Sequence, residues 1–200
     1  MPVITITVVD ARNNNSSPGH AFISFNNNLQ PDGATEAYGF YPSIGPASLL
    51  LSVPGEVKIE DIRKYERGST DPQTTTQVHV EVTQAQYDSI RNYVLNEKAQ
   101  NGLPTARDYA LRGVEYWSSN TEAGGGITNA RNCITWAVEA LNAGGLGVNP
   151  FQFESVFPAT TVTTTINKQL TTSGIKISER GQARIIMLAC CHAPPPACPP

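Results

Sequence analysis

A chain of 200 residues with 40 % hydrophobic content can bury one sizeable core, so a single domain is expected. The net charge of −3 argues against a nucleic-acid binder, which would carry a basic face. No apolar run approaches the ~20 residues that span a bilayer, and a charged fraction of 16 % makes the surface polar more than ionic.

The chain opens on Met1-Pro2-Val3-Ile4-Thr5-Ile6-Thr7, without the basic-then-apolar order of a Sec signal. Synthesis in a cytosol is expected, with export, if any, by another machine. Residues 3–9 alternate Val/Thr with Ile/Val and read as a strand. The polar run 13–19 is a loop that delivers His20 to a second strand, 20–25. Residues 35–41 form the strand that pairs back on it, across the turn-rich segment 26–33. Segment 42–72 is rich in Gly and Pro and reads as irregular, with short helical turns near 46–51 and 59–65.

Gln77-Val78-His79-Val80-Glu81-Val82 is an alternating strand, followed by Thr83-Gln84-Ala85-Gln86, a capping-box pattern. Tyr87, Ile90 and Val94 share the core face of the helix it starts, and Asn101-Gly102 ends the element. Residues 105–117 fit either a strand or a short helix, and 120–129, with three consecutive glycines, is a loop. A helix covers about 133–143, a Thr-rich helix 159–170, and a late strand 183–189. Early strands, one buried central helix and no βαβ alternation give an α+β fold. The domain is expected over 1–188, with 189–200 a flexible Pro/Cys-rich tail.

Four cysteines are too few for a disulfide scaffold, and three of them, Cys190, Cys191 and Cys198, lie in that tail. Adjacent cysteines among prolines make a poor metal site, so no metal is expected. Cys133 is different. Asn132 is a good N-cap, which places Cys133 in the first turn of a helix whose apolar stripe is Trp136, Ala137, Ala140 and Leu141. Unpaired N–H groups and the positive end of the helix dipole converge there and favour a thiolate. The Cys133 N–H can also serve an oxyanion hole. The plainer alternative is a cysteine packed as a small hydrophobe.

Three histidines are available as the base. His192 lies in the tail and His79 within a regular strand, whereas His20 follows a glycine at a loop-to-strand junction and is the best placed. The residue that orients the imidazole is expected to be Glu36, the acid of the returning strand. Tyr38, Tyr41, Trp117 and Asn132 are candidate substrate contacts.

Gly19-His20-Ala21-Phe22-Ile23, Glu36-Ala37-Tyr38-Gly39-Phe40-Tyr41-Pro42 and Asn132-Cys133-Ile134-Thr135-Trp136-Ala137 together resemble the papain-like NlpC/P60 superfamily. The order His20, Glu36, Cys133 is that of a circularly permuted member, because in the common branch the cysteine helix precedes the histidine strand. The resemblance implies an antiparallel sheet packed on a central helix carrying the cysteine, and a cofactor-free Cys-His-Glu hydrolase. It further implies cleavage of a peptidoglycan peptide by an antibacterial effector of type VI secretion, acting in a target-cell periplasm. Its partners would be a secretion apparatus and an immunity protein. The same branch holds lecithin:retinol acyltransferase-like enzymes, so a lipid or protein acyl-ester substrate stays open. So does a binding module with an inert Cys133. Segment 43–129 is left without a role.

Overall fold

The computed structural model describes residues 1–9, 19–26, 36–43, 53–61, 75–110, 131–150 and 159–177. Six strands and three helices occur among them: β1 Val3–Val9, β2 His20–Asn26, β3 Glu36–Pro42, β4 Val53–Ile59, β5 Thr75–Glu81, α1 Gln84–Ala99, β6 Asp108–Tyr109, α2 Cys133–Ala143 and α3 Ala159–Thr172. The strands form one sheet in the order β5-β1-β2-β3-β4-β6, and every neighbouring pair is antiparallel. The fold is α+β.

β1 is buried along its whole length because β2 and β5 flank it and both of its faces are covered. Its threonines pair with polar residues directly across the β1/β5 ladder. Thr5 is hydrogen-bonded to His79 Nδ1 at 2.9 Å, and Thr7 Oγ1 accepts from Gln77 Nε2 at 3.2 Å. His79 is thus a buried sheet residue, placed away from the chemistry described below.

Helix α1 begins with the expected capping box. Thr83 Oγ1 accepts from the Gln86 N–H, the Gln86 side chain accepts from the Thr83 N–H, and Tyr87, Ile90 and Val94 are buried. α1 packs against α2, α2 lies on β2 and β3, and α3 lies on β5 and β1. Nearly every residue of α2 is buried, from Cys133 through Leu141, with the Trp136 ring stacked on Phe40 at 5.9 Å.

Two expectations need correction here. The irregular reading of 42–72 misses β4, a seven-residue strand whose Pro54-Gly55 start disguises its Val53/Val57 periodicity. Pro54 pairs with Asp108 of the two-residue β6 and accepts from the Ser43 N–H at 2.8 Å just past β3, at the end of the ladder where its missing N–H is tolerated. Strand through Ile59 also removes the start of the helical turn expected over 59–65. The undecided 105–117 contains the short strand β6. Residues 111–130, with Trp117 and the glycine loop, the helical turn at 46–51, the late strand 183–189 and the tail 189–200 fall outside the described residues.

Candidate active site

Cys133 is the first residue of α2. Its N-cap, Asn132, is held by a reciprocal box: Asn132 Oδ1 accepts from the Thr135 N–H at 2.8 Å and Thr135 Oγ1 from the Asn132 N–H at 3.0 Å. All of these groups are buried, so the cap fixes the helix start rigidly. The sulfur therefore sits at the positive end of the helix dipole, beside backbone N–H groups that have no partner within the helix. Asn132, expected as a substrate contact, has its side-chain oxygen engaged in this cap.

His20 is the first residue of β2 and follows Gly19, whose φ of +80° is a left-handed turn that glycine adopts without strain. Its imidazole is hydrogen-bonded to the Cys133 side chain. Its Nε2–H donates to Glu60 Oε1 at 2.8 Å, which leaves Nδ1 as the nitrogen for the sulfur. The Glu60 carboxylate is almost wholly buried, and it also accepts from the Tyr41 hydroxyl. The Tyr41 ring stacks on His20 with centroids 4.3 Å apart. Burial by itself pushes the His20 imidazole down; the hydrogen bonds and negative charges of Cys133 and Glu60 outweigh it and push it up to about 9.

Glu60, just past β4, reaches His20 across the intervening strand β3. Its backbone N–H donates to Ala37 O at 2.8 Å, which pins the chain as it leaves the sheet. The two side chains meet over Gly39. A Cβ there would lie 2.3 Å from Glu60 Oε1 and 2.5 Å from His20 Nε2, so only glycine leaves room for the hydrogen bond. Asn101 steadies β4 from outside, accepting from the Val57 N–H at 2.8 Å and donating to Val57 O at 2.9 Å.

Glu36 does not orient His20. Strand register is the reason: Phe25 pairs with Glu36 while His20 lies five residues earlier on β2, roughly 16 Å away along the strand. The Glu36 carboxylate is instead gripped by Arg91 of α1 through two 2.7 Å hydrogen bonds, and the guanidinium holds it below the usual carboxylate range. Tyr38 likewise belongs to the core, edge-on to Phe25 at 6.3 Å with Lys98 over its ring. Tyr41 alone of the three tyrosine and tryptophan candidates is placed at the site, since Trp117 lies outside the described residues.

A further side chain touches the sulfur. The Tyr109 hydroxyl is hydrogen-bonded to Cys133, and burial first, then the charge and hydrogen bond of Cys133, push its phenol far above the ordinary range. Glu60 and Tyr109 both went unread because the strands that present them, β4 and β6, are short or masked by proline and glycine. An acid closing a strand next to the one that pairs with the histidine strand was the available signal for Glu60. Among the described residues no cluster of His, Cys, Asp and Glu could hold a metal ion, and no helix is long and apolar enough to cross a membrane.

No protein-family model matches the chain, and no curated protein matches it. Among solved structures it is similar to the crystal structure of a type VI secretion system effector, TseH, at 14 % identity and a TM-score of 0.49. That alignment covers 88 % of this chain and 98 % of the effector.

Proposed function

We propose that this chain is a cysteine hydrolase of the papain-like, permuted NlpC/P60 type, with Cys133 as nucleophile, His20 as acid and base, and Glu60 as the residue that orients the imidazole. One observation carries the reading: the unbroken series of hydrogen bonds from the Cys133 sulfur through the His20 ring to the buried Glu60 carboxylate. An imidazole raised to about 9 is protonated at neutral pH, which suits a thiolate–imidazolium pair.

In this mechanism the thiolate attacks an amide carbonyl carbon and forms the S–C bond. The carbonyl electron pair moves to oxygen, where the Cys133 N–H at the helix start stabilises it. Collapse breaks the C–N bond, and His20 Nδ1–H passes its proton to the departing amine. Water then attacks the thioester with neutral His20 as base, releasing the acid and restoring the ion pair. Glu60 keeps Nε2 protonated throughout, so that Nδ1 is the nitrogen that exchanges protons.

The proposed substrate is an amide bond of a peptidoglycan peptide, and the proposed setting is a secreted antibacterial effector with an immunity partner. The motif resemblance of residues 19–23, 36–42 and 132–137 supports both. A lipid or protein acyl ester would use the same steps with an alcohol leaving. An acidic chain offers no attraction to anionic lipid, which favours the peptide.

One observation favours an inert cysteine in a binding module: Cys133 is only 1 % exposed. Iodoacetamide decides between them, in a variant with Cys190, Cys191 and Cys198 changed to Ser. Rapid labelling of Cys133 at neutral pH, slowed by His20→Ala, is expected of the hydrolase. Labelling only on unfolding would refute it. Digestion of purified peptidoglycan then tests the substrate, with release of peptide fragments expected. An undigested wall with a reactive Cys133 would remove the cell-wall substrate alone.

A further inference from the structure

Helix α2 has a single charged residue among its eleven, Glu139, and this is the one position between Cys133 and Leu141 that is not buried. A carboxylate on the flank of an apolar helix needs donors, and three reach it from different parts of the chain. Glu139 Oε1 accepts from Arg131 Nε at 2.5 Å, and Oε2 accepts from Arg107 at 3.1 Å and from the Tyr93 hydroxyl at 3.2 Å. Arg107 is held in turn by Glu97 of α1 at 2.8 Å and lies over the Tyr93 ring. The four charged side chains are 15 % to 25 % exposed, so solvent screens them far less than a surface pair.

Arg131 is the member of this cluster that leads to the sulfur. Its backbone bridges to β6, its N–H donating to Asp108 O at 2.8 Å and its carbonyl accepting from the Ala110 N–H at 3.0 Å. The next residue is the Asn132 cap, and the one after it is Cys133. The backbone of Arg131 is thus fixed by β6 and its side chain by Glu139, about two turns further along. We infer that Glu139 is a positioning residue for Cys133: by holding the Arg131 guanidinium it fixes the segment that enters α2, and with it the direction in which the sulfur meets His20. The inference rests on the nucleophile reading of Cys133 and adds to it a residue that touches no reacting atom. Its leverage is geometric, since a displacement of about 1 Å at a reacting group can cost ~100-fold in rate.

A sulfur turned away from the imidazolium ionises at higher pH. The readout is therefore the midpoint of the pH–rate profile of iodoacetamide labelling at Cys133, in the variant free of tail cysteines. Easier entry of the reagent scales the whole profile and leaves its midpoint in place. Arg131→Met removes a positive charge and Glu139→Leu a negative one, so a pure field effect would move the midpoint in opposite directions. Acting through position, both are expected to move it up by about one unit or more, a loss of about tenfold in the neutral-pH rate relative to the alkaline plateau. Glu97→Gln, which weakens the cluster at Arg107, is expected to lower Tm and leave the midpoint unchanged. Opposite shifts at 131 and 139, unmoved midpoints in the folded variants, or an equal shift in Glu97→Gln would each overturn the inference. Glu139→Gln keeps the volume, but its one oxygen cannot serve both Arg131 and the Arg107–Tyr93 side. It is expected to move the midpoint up as well, and an unmoved or lowered midpoint overturns the inference even where Glu139→Leu fails to fold. If labelling is fast in the wild type and slowed by His20→Ala while the 131 and 139 variants keep its midpoint, the nucleophile reading stands and the Glu139 role alone fails. A wild type that does not label when folded overturns both.

Discussion

Changing Glu60 to Gln isolates the charge in the His–Glu pair. The amide oxygen can still accept from His20 Nε2–H and from the Tyr41 hydroxyl, so packing and the 2.8 Å hydrogen bond survive while the negative charge is lost. A hydrogen bond to a charged group contributes ~1.5–3 kcal/mol against ~1 for a neutral one, so the imidazolium loses roughly 1–2 kcal/mol of support. At about 1.4 kcal/mol per pKa unit this lowers the His20 transition from about 9 to roughly 8. Nitrogen NMR of the imidazole, titrated from pH 5 to 10, reads the shift directly and needs no substrate. Under the proposed mechanism, turnover would show the same displacement as an earlier loss of activity on the alkaline side, because His20 would have to donate to the leaving amine. A His20 titration unmoved by Glu60→Gln, in a protein with unchanged near-UV circular dichroism, would show that this carboxylate does not govern the imidazole.

Gly39→Ala is expected to force Glu60 and His20 apart, costing about 1–3 kcal/mol in denaturant melts and at least tenfold in Cys133 labelling at neutral pH. Glu36→Gln, in contrast, breaks a partly exposed ion pair with Arg91; it is expected to cost no more than about 1 kcal/mol and to leave the labelling rate unchanged, and a slowed rate would restore Glu36 to the site. Asn132→Ala removes a buried cap and is expected to destabilise the protein by about 1–2 kcal/mol in urea melts. Because the His20 pKa is raised in the folded state, its contribution to stability is complete below about 6.5 and disappears as pH rises through about 9. Tm should therefore fall across that window, and His20→Gln should flatten the fall.

Local order decided much of what could be read without coordinates. The capping box at Thr83–Gln86, the buried spacing Tyr87–Ile90–Val94 and the Asn132 cap before Cys133 depend on residues within a turn or two of each other, and the structure has each in place. The alternation in β1, β2, β3 and β5 is of the same kind, because side chains change face at every residue whatever the partner strand. The tyrosines of β3 show where that information stops: periodicity separates Tyr38 from Tyr41 but does not say that one packs under Lys98 and the other on His20.

Sequence alone determined that Cys133 opens a helix and that His20 opens a strand after a glycine turn, since both follow from neighbouring residues. Tertiary structure decided which groups meet them. The antiparallel register carries Glu36 far down the sheet to Arg91, and the missing side chain at Gly39 lets Glu60 reach the imidazole from the next strand over. Tyr109 arrives through a two-residue strand wedged between β4 and Arg131. Such choices depend on distances between residues far apart in the chain, 40 positions for His20 and Glu60 and 55 for Glu36 and Arg91, and no local pattern of side chains encodes them.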